Sequence, residues 1–259
     1  MKMSHALLML AAALMLGGCS STRRPAYEMV ERSIKVDGHD SDWAGVKGSG
    51  VSGEERLWTG SGVTRDKWGG RQDLSYSWRS AWSGDKLYFL IQVNDDKVLA
   101  PTTQKTPSQC DCVEICLDYG DRKGQRVRIM DGRADWTAKC DKKEMNGYDL
   151  RILATNPAKV YLDHAFKDDI EKPQTEDFKR DWNGEVNVKK NPTGYYVEIG
   201  FSIPDVKLAE GKSMGLEIAV CDDDGQGRKS IMTWTGSQKE YWIDMDGYGK
   251  VKLTRKAEK

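Results

Sequence analysis

The feature that most constrains this fold is the spacing of its apolar residues, which recur at every second position in many short segments. In the segment "DLSYSWRSAW", Leu74, Tyr76 and Trp78 alternate with serine and arginine. A period of two is typical of β-strands with one buried face, because successive side chains point to opposite sides of a sheet. The pattern therefore predicts an all-β protein.

Further segments with this period continue to the end of the chain. In "DCVEICL", valine, isoleucine and leucine fall on one face, and Cys112, Glu114 and Cys116 fall on the other. Comparable segments are "YFLIQV", "GEVNVKK", "YYVEIGFSI", "GLEIAV", "SIMTWT" and "GKVKL". Turns rich in Gly, Asn and Asp separate them, and Asn191-Pro192-Thr193-Gly194 suits a hairpin. We predict an antiparallel β-sandwich, immunoglobulin-like or jelly-roll-like, with long loops.

The first residues have the composition of a secretory signal. An uncharged apolar run follows Lys2 and leads into Leu16-Gly17-Gly18-Cys19. The run is too short to span a bilayer. The quartet resembles the lipobox of bacterial lipoproteins, which implies cleavage before Cys19 and acylation of its thiol. The alternative is an ordinary signal peptide with an incidental cysteine.

The lipobox resemblance sets the expected organisation and location. We predict a signal peptide at residues 1–18, a lipidated tether at 19–31 and one β-sandwich domain at 32–255. The two serines after Cys19 give no inner-membrane retention signal, so the predicted location is the cell envelope, lipid-anchored in the outer membrane. Within the domain, residues 47–70 are rich in Gly and Ser and read as a long insertion loop.

Charge and motifs exclude several classes of function. Forty basic and forty acidic residues cancel, and no basic cluster occurs, so we predict no nucleic-acid partner. No Gly-x-Ser-x-Gly elbow is present, and His39 and His164 have no recognisable nucleophile beside them in the sequence. We therefore predict that the protein is not an enzyme. An odd number of cysteines follows Cys19, and a disulfide between strands stays open, with no pairing assigned.

The acidic segment "CDDDGQGR" offers oxygen atoms that suit calcium. Counted from Asp222, an EF-hand would need Glu at its twelfth position, where Thr233 stands, so an EF-hand is excluded. Two interpretations remain, a solvated turn between strands or a calcium site of another geometry that uses Asp222 and Asp224. The pair Asp95 and Asp96 leaves the same two interpretations.

Six blocks together resemble a known family. In chain order they are "IKVDGHDSDWAGV", "AWSGDKLYFLIQVNDD", "DCVEICLD", "GYYVEIGFSIPDV", "GLEIAVCDDD" and "MTWTG". The chain is similar over residues 34–253 to a family 9 carbohydrate-binding module, part of the wider DOMON-like group of β-sandwiches. This resemblance implies a calcium-containing β-sandwich that binds the end of a sugar chain in a slot between two tryptophans.

The resemblance also implies site residues. Trp242 matches one of the stacking tryptophans, and Glu114, Arg128 and Arg228 match polar positions that bond the sugar. The chemistry is suitable, because a sugar presents an apolar C–H face to an aromatic plane while arginine and carboxylate groups bond its hydroxyls. Two alternatives stay open: Trp242 as a core residue, and Glu114 in an ion network with the two arginines.

The sequence departs from the family pattern at the second stacking tryptophan. Ser108 stands at that position, so an aromatic residue from elsewhere, such as Trp58 or Trp68, would have to close the slot. Trp43 and Trp82 stand in blocks that mark the fold, and we predict that both belong to the core.

The predicted function is a non-catalytic lipoprotein that binds an oligosaccharide or polysaccharide at the cell envelope, with calcium as its cofactor. One alternative is a haem-binding electron-transfer module, since DOMON-like relatives hold haem between Met and His or Lys. The other is an envelope scaffold that binds a protein partner.

Overall fold

The computed structural model describes residues 24–99, 109–119, 147–165, 183–203, 206–242 and 245–255, and the backbone of 128–130 and 133–135. These residues form strands and short 3-10 turns, which confirms the predicted all-β class. No helix among them is long and apolar enough to cross a membrane. The predicted signal peptide and Cys19 lie outside the described residues.

The strands follow the segments of alternating hydrophobicity. They are β1 (Ala26–Glu31), β2 (Gly48–Val51), β3 (Leu74–Ser83), β4 (Lys86–Asp95), β5 (Cys112–Asp118), β6 (Arg128–Met130), β7 (Arg133–Asp135), β8 (Gly147–Leu153), β9 (Lys159–Ala165), β10 (Asn183–Asn191), β11 (Gly194–Ser202), β12 (Ser213–Asp222), β13 (Ser230–Thr233) and β14 (Gly249–Thr254).

Twelve of these strands form one continuous sheet in the order β10-β11-β4-β3-β1-β14-β12-β5-β8-β9, with β2 beside β3 and β13 beside β12. Strands β6 and β7 pair only with each other within the described residues. Neighbours in the large sheet are antiparallel except at β1, which pairs in parallel with both β14 and β3. Strand β1 therefore joins the two halves of a β-sandwich.

The main core lies between these halves. Trp78 and Phe89 from β3 and β4 share one buried cluster with Ile115 from β5 and Ile218 from β12. All four side chains are at most 1% exposed. Burial of a large apolar side chain contributes about 1.5–3 kcal/mol, so this shared core holds the sheet in its curled form. Trp43 and Trp82 are also buried, which confirms their predicted place in the interior.

The predicted hairpin after β10 is present. The Asn191 side-chain oxygen accepts hydrogen bonds from the backbone nitrogen and the hydroxyl of Thr193, at 2.9 and 3.0 Å. Gly194 then enters β11 with φ +142°, and a Cβ at this position would lie 2.3 Å from the carbonyl oxygen of Val93. The close approach of β4 therefore requires glycine at this turn.

Two segments expected to be irregular are more ordered than predicted. Part of the expected tether at 19–31 is strand β1, in which Tyr27 and Met29 are buried. Charged residues flank this short strand on both sides, and for that reason the sequence of the whole segment resembles that of a tether. The expected loop at 47–70 contains strand β2 and two 3-10 turns, and it buries Trp58.

Candidate functional site

The outer face of β5 and β12 is covered by a second buried layer. Alternation along β5 places Cys112 and Cys116 on the side opposite the main core, as the sequence predicts. Trp58, Tyr241 and Tyr248 pack over this face. The face that carries the cysteines and Glu114 is therefore interior rather than solvated.

Glu114 lies in this interior with 1% of its surface exposed. Its direct neighbour across the ladder is Arg151 of β8, whose Nε atom lies 2.9 Å from Glu114 Oε1. The Sγ atom of Cys221 lies 3.5 Å from the same oxygen. Glu114 Oε2 is buried and has no hydrogen-bond partner. Glu114 is thus in a buried ion pair with Arg151, an arginine that the sequence analysis did not select.

Trp242 lies at the rim of this layer and is half-buried. Its ring centroid is 5.1 Å from that of Trp58, with planes at 69°, and 5.1 Å from that of Tyr241, with planes at 86°. These are edge-to-face contacts, which favour aromatic pairing without forming a parallel slot. We call Trp58, Tyr241 and Trp242 the aromatic patch. Trp58 is thus beside Trp242, whereas Trp68 packs against the main core.

Of the two predicted arginines, the structure describes the side chain of Arg228 alone. Arg228 is half-exposed in the turn between β12 and β13. Arg128 begins β6, and its side chain lies outside the described residues, as does Ser108. The sugar-binding roles of Glu114, Arg128 and Arg228 therefore remain predictions.

Aspartates from three strand ends converge on one point. Asp95 ends β4, Asp111 precedes β5 and Asp222 ends β12. One carboxylate oxygen from each lies within 4.8 Å of the others, and all three residues are buried. We call these residues the three-aspartate cluster. Asp111 also accepts hydrogen bonds from the backbone nitrogens of Leu99 and Asp223, at 2.6 and 2.7 Å, which fixes its carboxylate in place.

The electrostatics of this cluster favour a cation. Burial raises the pKa of Asp95 to about 6, of Asp111 to about 7 and of Asp222 to about 8, with the neighbouring carboxylates adding to each shift. Asp95 Oδ2 and Asp222 Oδ1 are buried without a hydrogen-bond partner. Hard oxygen ligands of this kind fit Ca²⁺, which would neutralise the carboxylates and occupy the two free oxygens.

The predicted pair Asp222 and Asp224 divides between two clusters. Asp224 groups with Asp73 and Asp96 instead. Lys229 Nζ contacts Asp73 and lies 2.7 Å from Asp224 and 3.8 Å from Asp222. Burial lowers the pKa of Lys229, but its hydrogen bonds to Asp224 and Asp73 outweigh that effect and raise it. A lysine therefore balances part of the charge at Asp224, while the three-aspartate cluster is the better place for a metal ion.

Comparison with known families decides the class of the domain. The family model for carbohydrate family 9 binding domain-like sequences matches residues 52–256. The chain belongs to this family. The match covers both halves of the sandwich and the segments that build the aromatic patch and the three-aspartate cluster.

Individual relatives of this family 9 domain are distant in sequence. Endo-1,4-beta-xylanase A of Thermoanaerobacterium saccharolyticum is 23% identical over 185 residues, which are 70% of this chain and only 12% of the xylanase. A family 9 carbohydrate-binding module of Caldicellulosiruptor kristjanssonii, solved with cellotriose, matches with a TM-score of 0.62 and 20% identity, covering 89% of this chain and 94% of that chain. The same module solved with glucose has the same TM-score and identity, covering 90% and 98%. These structures share the fold of the domain.

Sequence reasoning missed several residues that build these sites. Asp111 and Arg151 were not selected, and Asp95 was considered only with Asp96. The sequence did contain a signal for the three-aspartate cluster. The segments "VNDD", "CDCV" and "VCDDD" each place aspartate at one terminus of an apolar strand, either its last residue or the residue before its first. No such signal exists for Arg151, because its pairing with Glu114 depends on which strand becomes the neighbour of β5.

Proposed function

We propose that this family 9 domain is a non-catalytic carbohydrate-binding protein that presents a glycan site from the cell envelope. Membership of a carbohydrate-binding family supports the ligand class. The observation that carries the proposal is Trp242, a half-exposed tryptophan at the rim of a buried aromatic layer. Such a ring offers one flat face to the C–H face of a sugar.

The surroundings of Trp242 make it a rigid platform. Trp58 Nε1 donates to the carbonyl oxygen of Lys239 at 2.9 Å, and the Tyr248 hydroxyl donates to the carbonyl oxygen of Tyr241 at 2.6 Å. These bonds fix the backbone on which Trp242 stands. A platform that is already ordered loses little conformational entropy on binding, which favours affinity for a small ligand. The exposed carboxylate of Glu240 is close in sequence and would bond hydroxyls.

This proposal gives Glu114 a supporting role and not the sugar-binding role that the family resemblance implies. It is 1% exposed, it is near enough to Tyr241 to add to the rise that burial causes in the pKa of that hydroxyl, and its carboxylate is paired with Arg151. A sugar hydroxyl reaches Glu114 only when the side chains that bury it move aside. We therefore propose that stacking at Trp242 supplies the binding, and that Glu114 supports the strand face below it.

Calcium and the lipid anchor complete the proposal. The three-aspartate cluster would hold Ca²⁺ and supply a structural link between the ends of β4, β5 and β12. The lipobox-like quartet that ends at Cys19 supports a lipid-anchored domain in the outer membrane, linked by a short chain to β1.

The xylanase activity of the curated relative is not part of this proposal, because the similarity covers only a small part of the xylanase.

Calorimetric titration with cello- and xylo-oligosaccharides in the presence of calcium tests the proposed function. We expect binding by the wild-type domain and its loss in Trp242→Ala with the domain still folded, because Trp242 packs at the rim of the aromatic layer and not against the main core. Trp242→Phe keeps a flat ring and should retain part of the affinity.

Trp68→Ala is the matched control, since it removes a half-buried tryptophan that packs against the main core, away from the aromatic patch. It should lower Tm and leave sugar affinity unchanged. Absence of binding to any glycan, or unchanged binding by Trp242→Ala, would overturn the proposal.

A further inference from the structure

The outer face of β5 and β12 holds a second group of ligating side chains, distinct from the aspartates. Cys112 and Cys221 are direct partners across the antiparallel ladder, and Glu114 follows Cys112 on the same face of β5. One ligand atom from each lies within 4.8 Å of the other two. None of the three is more than 1% exposed. Two thiols and a carboxylate therefore meet in a space without solvent.

This group contains polar atoms that lack a partner. Glu114 Oε2 is buried and accepts no hydrogen bond from the residues that the structure describes, and the same is true of the Tyr241 hydroxyl, which packs in this layer. A buried polar atom left unpaired costs about 1–3 kcal/mol, and native proteins contain few of them. The open acceptor on Glu114 is an independent sign that a further group belongs beside the two thiols.

We propose that Cys112, Cys221 and Glu114 bind a thiophilic divalent cation of the Zn²⁺ class. Thiolate and carboxylate ligands together suit zinc, whereas calcium takes oxygen ligands and would remain at the three-aspartate cluster. Cys116 and Asp149 form a second set of possible ligands that shares Glu114. The protein would thus contain two cation sites of different chemistry.

The charges of the loaded site balance. The two thiols release their protons to solvent as the metal binds, so the site gains two thiolates and one divalent cation. With ionised Glu114 and the Arg151 guanidinium the sum is zero, which avoids an uncompensated charge in the interior. Arg151 Nε, at 2.9 Å from Oε1, holds the carboxylate in position beside Cys221, whose Sγ lies 3.5 Å from the same oxygen.

A disulfide between Cys112 and Cys221 is the competing use of the same thiols, because the two residues face each other on adjacent strands. It would need an external disulfide or oxygen as the oxidant. It would also leave Glu114 Oε2 without a partner and remove the Cys221 contact with Glu114 Oε1. The metal site uses all three side chains, and for that reason the observations favour it.

The test is titration of the reduced mature protein with Co²⁺, in buffer that contains enough Ca²⁺ to fill oxygen sites. We expect one Co²⁺ per chain, with a thiolate-to-cobalt charge-transfer band in the near ultraviolet, and displacement of the cobalt by Zn²⁺. Cys221→Ser should halve the charge-transfer intensity and weaken affinity at least tenfold. Glu114→Gln should weaken affinity and keep the band.

Cys110→Ser is the matched control, since Cys110 is buried in the same layer but belongs to neither set of ligands, and it should bind cobalt normally. Circular dichroism verifies that each variant is folded. No charge-transfer band in the reduced wild type, or an unchanged band in the Cys112→Ser/Cys221→Ser double variant, would refute the site. A thiol count in denaturant that rises by two on reduction of the wild type, and that does not change on reduction of Cys112→Ser/Cys221→Ser, would identify the disulfide instead.

Discussion

Glu217 lies in the middle of β12 with none of its surface exposed. Its Oε1 atom accepts hydrogen bonds from the backbone nitrogens of Ile218 and Thr235, at 3.1 and 3.2 Å, and its Oε2 atom contacts the Thr235 hydroxyl. Burial raises its pKa to about 7, and the bonds from Thr235 offset only part of that shift. Below about pH 7 the folded protein therefore favours the protonated acid.

This pKa predicts a pH dependence of stability. The carboxyl has an ordinary pKa of 4.5, so between pH 4.5 and about 7 the folded state binds more protons than the unfolded state. The free energy of unfolding should fall as pH rises through that window, by up to about 3 kcal/mol. Glu217→Gln copies the protonated acid and should remove the share of the decline that comes from Glu217, leaving the share that the raised pKa values of Asp95, Asp111 and Asp222 contribute. Urea denaturation at pH 5 and pH 8 measures the change.

Glu198→Gln is the control for that experiment. Glu198 is also fully buried, but its two oxygens accept from the Gly38 nitrogen and from Trp43 Nε1, at 2.6 and 2.8 Å. A glutamine would place an N–H₂ group against one of these donors, so it should destabilise the protein at both pH values. An equal effect of Glu217→Gln at pH 5 and pH 8 would contradict the pH argument.

The ends of β4, β5 and β12 meet at the three-aspartate cluster, which joins strands from both halves of the sandwich. A cation that binds only the folded state adds about 2.7 kcal/mol at one hundred times its Kd. We therefore expect Ca²⁺ to raise Tm and a chelator to lower it. Asp222→Asn should abolish most of this response, because it removes one of the buried carboxylates.

Asp40→Asn is the matched control, since Asp40 is exposed and belongs to neither aspartate group. Its calcium response should equal that of the wild type. Calorimetric scans with and without Ca²⁺ give the measurement, and a Tm that does not respond to calcium in the wild type would exclude a structural calcium ion.

Strand β5 illustrates what the sequence could predict and what it could not. Its alternation correctly separates Val113 and Ile115 from Cys112 and Glu114. The pattern cannot reveal that the second face is also buried, because Trp58 and Tyr241 cover it from loops far away in the chain and without any period. For the same reason the sequence around Glu114 is typical of an exposed ligand-binding residue, whereas in the structure Glu114 belongs to a buried ion pair.

The N-terminal tether belongs to the description of the molecule as a whole. If Cys19 carries lipid, the wild-type protein should fractionate with membranes and incorporate labelled palmitate. Cys19→Ser should release the protein in folded form, because the first strand begins only at Ala26. Ser20→Ala keeps the predicted acylation site and serves as the control. Membrane retention of Cys19→Ser without label would refute the anchor.

Strand β1 gives such an anchored protein a mechanical property. It forms the last part of the segment predicted as a tether, and it pairs in parallel with β14 over five positions and with β3 over two. A pull between a bound glycan and the membrane would run along β1, while its ladder hydrogen bonds run across it. The force would therefore shear the whole ladder at once rather than open one bond at a time, and the domain would hold its ligand under tension.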